Sequence, residues 1–79
     1  DVSLSQFTYF PNPVNDKLTL NAQSNIQNVA VYNMLGQEVI NASPNTLDAE
    51  VDMVNLNSGA YFVKVTIDNA TKTIRVIKN

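Results

Sequence analysis

The 79-residue chain contains no cysteine and no histidine. The first absence rules out a disulfide framework and any thiolate metal site. The second removes the commonest general base and the commonest metal ligand. Only two glycines occur, Gly36 and Gly59, 23 positions apart, so no glycine-rich loop can cradle a phosphate. Ser58 precedes Gly59, yet no histidine exists to activate it and no Gly-x-Ser-x-Gly turn surrounds it. Apolar runs stop after a handful of residues, far short of the roughly 20 that a membrane-spanning helix needs. Charge is sparse as well. Seven acidic and five basic residues leave a formal net charge of −2, which gives no electrostatic grip on nucleic acid or an anionic membrane. This inventory predicts no enzyme, no cofactor and no metal centre.

What is present suits a small globular body. Hydrophobic residues make up 44% of the chain and charged ones 15%, too apolar for a disordered segment. The length allows one domain, residues 1–79, burying about 60% of its unfolded surface. Without covalent staples, packing alone must hold it. The chain opens on Asp1 rather than methionine and shows no signal peptide, so a segment of a longer protein is expected.

The dominant period is two, the mark of half-buried strands. "KLTLNA" sets Leu18 and Leu20 against Lys17 and Thr19, and "QNVAVYN" sets Val29 and Val31 against Ala30 and Tyr32. "QEVIN" is a short partner, and "AEVDMV" aligns Ala49, Val51 and Met53 against Glu50 and Asp52. "YFVKVTI" turns Tyr61, Val63, Val65 and Ile67 inward, and "TIRVIK" places Ile74 and Val76 opposite Arg75 and Ile77. A short "FTYF" comes first. The punctuation agrees with this reading. Gly36 in "NMLGQ" suits the left-handed position of a hairpin loop, "DNAT" is a turn, and the polar loop "NASPNT" can carry the chain between sheets. No stretch carries a capped helical period. About seven antiparallel strands in two sheets, an all-β sandwich, are therefore expected.

One local cue is more specific. "LNSGAYFVKV" leads a leucine, a glycine and a tyrosine into a long alternating strand. This is the pattern of a tyrosine corner in immunoglobulin-like and fibronectin-like sandwiches, in which the phenol bonds back to nearby backbone; a plain core tyrosine is the alternative for Tyr61. Pro11 and Pro13 flank Asn12 just before "KLTLNA"; each proline removes a donor and disfavours helix, so this is a rigid corner at the least.

Other patterns read as surface. Asp48, Glu50 and Asp52 share one strand face, but strand spacing is too wide for one ion unaided. Asn41-Ala42-Ser43 and Asn69-Ala70-Thr71 fit the glycosylation triplet, a frequent chance match in an asparagine-rich chain. Phe7, Tyr9, Phe10, Tyr32 and Phe62 could form an exposed aromatic row for a sugar, although packing of the first strand explains them better.

Four segments, "FPNPVNDKLTL", "VAVYNMLGQEV", "LNSGAYFVKV" and the basic end "TKTIRVIKN", occur in one order over residues 7–79. Together they resemble the C-terminal sorting domain (type A) of the type IX secretion system of Bacteroidetes-type bacteria. The family's motif positions fall on Pro11, Asn12, Pro13, Gly36, Leu56, Gly59, Tyr61 and Lys78, which with the basic Lys72 and Arg75 of the last strand are the candidates for recognition by the export machinery. The resemblance implies the tail of a larger secreted protein, often a hydrolase or adhesin, whose N-terminal passenger domain it addresses through the periplasm to the outer-membrane translocon. In such relatives a surface sortase cuts near the start of the domain and attaches lipopolysaccharide. Its partners would be those translocon and sortase components and the passenger, with no direct membrane insertion. Many members end on the basic residue, whereas here Asn79 follows Lys78. The last strand, with its basic residues, is expected at a sheet edge, where strand addition is a general recognition mode. A fibronectin-like or carbohydrate-binding accessory module of a secreted enzyme, or a spacer domain, is the competing reading.

Overall fold

Alternating apolar and polar residues produce six strands and no helix among the described residues. The computed structural model describes residues 7–11 and 13–79. Its elements are β1 (Phe7–Phe10), β2 (Lys17–Tyr32), β3 (Glu38–Ala42), β4 (Thr46–Asp52), β5 (Gly59–Ile67) and β6 (Ala70–Lys78). All strand pairs are antiparallel.

The organising element is β2, 16 residues long. Its first half lies between β1 and β4, and its second half between β3 and β5, with β6 beyond β5. The expected all-β, antiparallel architecture is therefore present, with one difference in the count. "KLTLNA" and "QNVAVYN" are a single strand, because the chain stays extended through residues 23–25 instead of turning. Both layers of the sandwich thus share β2, and the sheet curls around one core. Leu18 and Leu20 from the first half of β2 join Val29 and Val31 from its second half, Val63 and Val65 of β5, and Ile74 and Val76 of β6 in that core.

A curl needs a change of facing within β2. Leu18, Leu20 and Ile26 are even-numbered, yet the equally buried Val29 and Val31 are odd. The switch occurs at a bulge: Ile26 opposes Ile67 and Asn28 opposes Thr66, so Gln27 has no opposite number in β5. One extra residue exchanges the faces and adds twist. Gln27 is also used locally, since its side-chain oxygen accepts the Asn69 N–H at 2.8 Å. That bond ties the bulge to the β5–β6 turn, where Asp68 and Asn69 both adopt positive φ (53° and 64°), as a two-residue type I′ turn requires.

Tyr61 forms the expected corner. It is 7% exposed, and its hydroxyl donates to the Asn57 carbonyl at 2.7 Å. Leu56 packs partly buried against the core, and Gly59 takes φ +148°, a conformation that L side chains rarely adopt. Leu56, Gly59 and Tyr61 are thus parts of one turn that feeds β5 into the core. Tyr61→Phe is expected to lower stability by about 1 kcal/mol, the net worth of one partly buried hydrogen bond, in urea unfolding with an unchanged m value.

Candidate functional site

The proline corner has a definite destination. Pro11 and Pro13 are exposed, and between them Asn12 lies outside the described residues. Directly after them, Val14 is fully buried and forms a parallel bridge with Lys78 at the far end of the chain. Its N–H donates to the Ile77 carbonyl at 2.6 Å, and its carbonyl accepts the Asn79 N–H at 2.8 Å. Asn79 Nδ2 adds a bond of 2.9 Å to Asn15 Oδ1. The first segment therefore pairs with β2 through β1, turns at the prolines, and crosses to the last strand. Neither proline has an N–H to give to a ladder, so the pairing resumes only at Val14.

This staple brings together residues that the sequence separates widely. Lys78 stands opposite Gly59 on β5 and beside Val14, and Tyr61 stands opposite Val76. Lys78 is only 8% exposed, and its ammonium donates to the Asn79 carbonyl at 2.9 Å. The basic residues of β6 do not form one cluster. Lys72 and Lys78 fall on the core-facing side at opposite ends of the strand, while Arg75 faces outward across from Phe62. Lys72 and Arg75 are exposed. As expected, β6 lies at a sheet edge, with β5 its only neighbouring strand among the described residues.

Gly36 lies in the β2–β3 loop, beside the outer face of β5 and β6, with φ +85° and open space where a Cβ would sit. Asn33 clamps this loop: its Oδ1 accepts the N–H groups of Leu35 (2.9 Å) and Gln37 (3.0 Å), and its Nδ2 donates to Gln37 Oε1 at 2.9 Å. Met34 and Leu35 project from it, 61% and 84% exposed. Beside the loop, Tyr32, Phe62, Lys64 and Thr73 line an open groove of about 370 Å³. Lys64 Nζ lies 5.0 Å from the Tyr32 ring centre, a cation–π contact. Partial shielding from water, and then the Glu38 carboxylate to which the phenol donates at 3.2 Å, raise Tyr32 above its ordinary range.

The remaining candidates separate as follows. Asp48, Glu50 and Asp52 line the exposed side of β4, with Glu50 only 3.9 Å from Lys17 across the ladder. Phe7 packs into the core, and Tyr9 and Phe10 stay exposed against the first half of β2, whereas Tyr32 and Phe62 are partners on the second half. The aromatics therefore do not make one row. Sequence reading did not single out Val14, Ile26, Gln27 or Asn33. The signal for the bulge was present: apolar residues at 26 and 29 break an otherwise strict period of two. Val14 carried no signal, because one valine after a proline corner has no periodicity.

Replacing Val14 by alanine tests the staple. The variant is expected to lose about 2 kcal/mol of stability and to speed hydrogen exchange at the Asn79 amide, measured by NMR.

No curated protein matches the chain. Among solved structures, it superposes with a TM-score of 0.78 on PorZ, described as an essential bacterial surface component of the type IX secretion system of Porphyromonas gingivalis. The likeness covers 98% of this chain and 12% of that one at 20% identity, so it speaks for the fold alone. The sequence profile of the family described as "Secretion system C-terminal sorting domain" matches residues 8–79. With nearly its whole length matched, the chain belongs to that family, the C-terminal sorting signals of type IX secretion.

Proposed function

We propose that this sorting domain is the single-domain tail of a larger secreted protein, and that its C-terminal hairpin, β5 with β6, is the face the outer-membrane translocon takes hold of. The family is one of sorting signals rather than catalysts, and membership implies export to the cell surface or the medium. The finer itinerary belongs to the proposal: a passenger preceding the domain, periplasmic transit, docking at the translocon, and removal of the tail by a sortase that attaches lipopolysaccharide. A cut on the passenger side of Phe7 would leave the folded body whole, since Phe7 is a core residue.

The observation that carries the docking assignment is the state of β6. It is an edge strand with exposed Lys72 and Arg75, and its end is held in a fixed place by Val14. A cysteine-free body that needs no oxidation to fold supports the role of an address label read in the folded state. Pro11 and Pro13 lead into the same corner, where Lys78 also lies. Gly36 lines the groove on the outer face of the β5–β6 hairpin, and Leu56, Gly59 and Tyr61 act by shaping β5.

A reporter fused to residues 1–79 in a type IX-competent strain tests this reading. Deleting residues 71–79 is expected to abolish export, and full export without them would overturn the docking assignment. Because that deletion also removes the buried Ile74 and Val76, Lys72→Ala with Arg75→Ala provides the second arm. That pair should lower export while changing stability by less than about 0.5 kcal/mol, as exposed sites do. Pro11→Ala with Pro13→Ala separates the two roles of the corner: lost export with an intact fold means the corner is read, and retained export confines it to architecture.

A further inference from the structure

Parity decides which backbone groups of β6 face its open edge. The Ile77 carbonyl and Asn79 N–H point away from β5, toward Val14. The two-residue turn closes on Ile67 and Ala70, so even-numbered residues of β6 bond to β5 and odd-numbered ones face outward. Thr71, Thr73 and Arg75 therefore present their N–H and C=O groups on an edge that no described strand covers. Val14 caps this edge at its C-terminal end, which leaves a short window over residues 71–75.

The charged side chains of β6 itself are all basic. Arg75 stands on the outer face and Lys72 on the other, both exposed, while Lys64 of β5 is turned away from the edge toward the Tyr32 ring. Lys17 with Glu50, on the opposite half of the sheet, is the one ion pair among the described residues. The carboxylates near the window are Asp68 in the hairpin turn and Glu38, which accepts from Tyr32 at the far side of the groove. A chain with net charge −2 thus carries a locally basic edge. Basic side chains on an edge repel a second basic edge and favour an acidic strand.

From this geometry we infer that β6 accepts an extended acidic segment of another protein by strand addition at Thr71, Thr73 and Arg75. This deepens the docking assignment above and rests on it. Backbone groups of the incoming strand would pair with the three outward residues. Its acidic side chains would meet Arg75 on one face and Lys72 on the other. On the outer face its side chains run beside Thr73 and Arg75. Main-chain bonds supply the affinity and charge supplies the selection.

The test uses the isotope-labelled 79-residue chain and two seven-residue peptides, one alternating glutamate with valine and one alternating lysine with valine. The acidic peptide should slow hydrogen exchange at the Thr73 and Arg75 amides by about tenfold or more, and added salt should weaken the effect. Thr73→Pro removes an outward N–H without touching a bond to β5 and should abolish that protection, whereas Thr73→Val should keep it. Lys72→Glu with Arg75→Glu should exchange the preference to the lysine peptide, and this pair decides the matter if the proline variant does not fold. Equal protection by both peptides, or none by either, overturns strand addition. So does self-association by sedimentation, with the acidic β4 edge of a second copy filling the window. If the peptides fail but deletion of residues 71–79 still stops export, strand addition falls and the docking assignment stands. Full export after the deletion removes the docking assignment itself.

Discussion

Everything in this fold depends on β2 pairing along its whole length while turning a different set of side chains inward at each end. A 16-residue strand touching β1, β4, β3 and β5 cannot serve one core with strict alternation. Gln27 resolves the conflict by standing outside the β5 register, so Ile26 and Val29 both reach the interior. The same residue holds the Asn69 amide and fixes the turn that launches β6. A bulge that switches facing and anchors a distant turn couples the two layers without any covalent link.

Around that strand, the family's signature segments act first as architecture. Leu56, Gly59 and Tyr61 make a corner closed by the bond from the phenol to the Asn57 carbonyl. Asn33 and Gly36 make a clamped hairpin loop. Pro11 and Pro13 end the first strand, and Val14 carries the chain to the last one. A domain this small has little core to spare, so each turn must be specified locally. Such a fold can serve as an address while presenting almost no chemistry of its own. It keeps its shape, and it offers an edge.

Several features were legible in the residues because their causes are local. Alternation in "YFVKVTI" placed Tyr61, Val63, Val65 and Ile67 inward, and all four are buried. Gly36 and the Asp68-Asn69 pair were readable as turns because positive φ restricts residue choice. The corner at Tyr61 was readable from a leucine, a glycine and a tyrosine in close succession. Strand continuity through residues 23–25 was not, since "AQSN" has the polarity of a loop and stays extended only because neighbouring strands pair with β2 on either side of it. The order of four weak segments pointed to the family where none alone could.

Fold class, turn positions, the family and the lack of any catalytic inventory were thus determined by the sequence itself, through periodicity, backbone preference and composition. Only the tertiary structure decided that residues 14 and 78 touch, that Lys78 is buried while Lys72 and Arg75 are exposed, and that the odd-numbered residues of β6 face an open edge. Those facts depend on which strand lies beside which, and on the parity set by a bulge and a turn. Periodicity gives each strand two faces; pairing across the chain decides which face meets the core and which edge stays open.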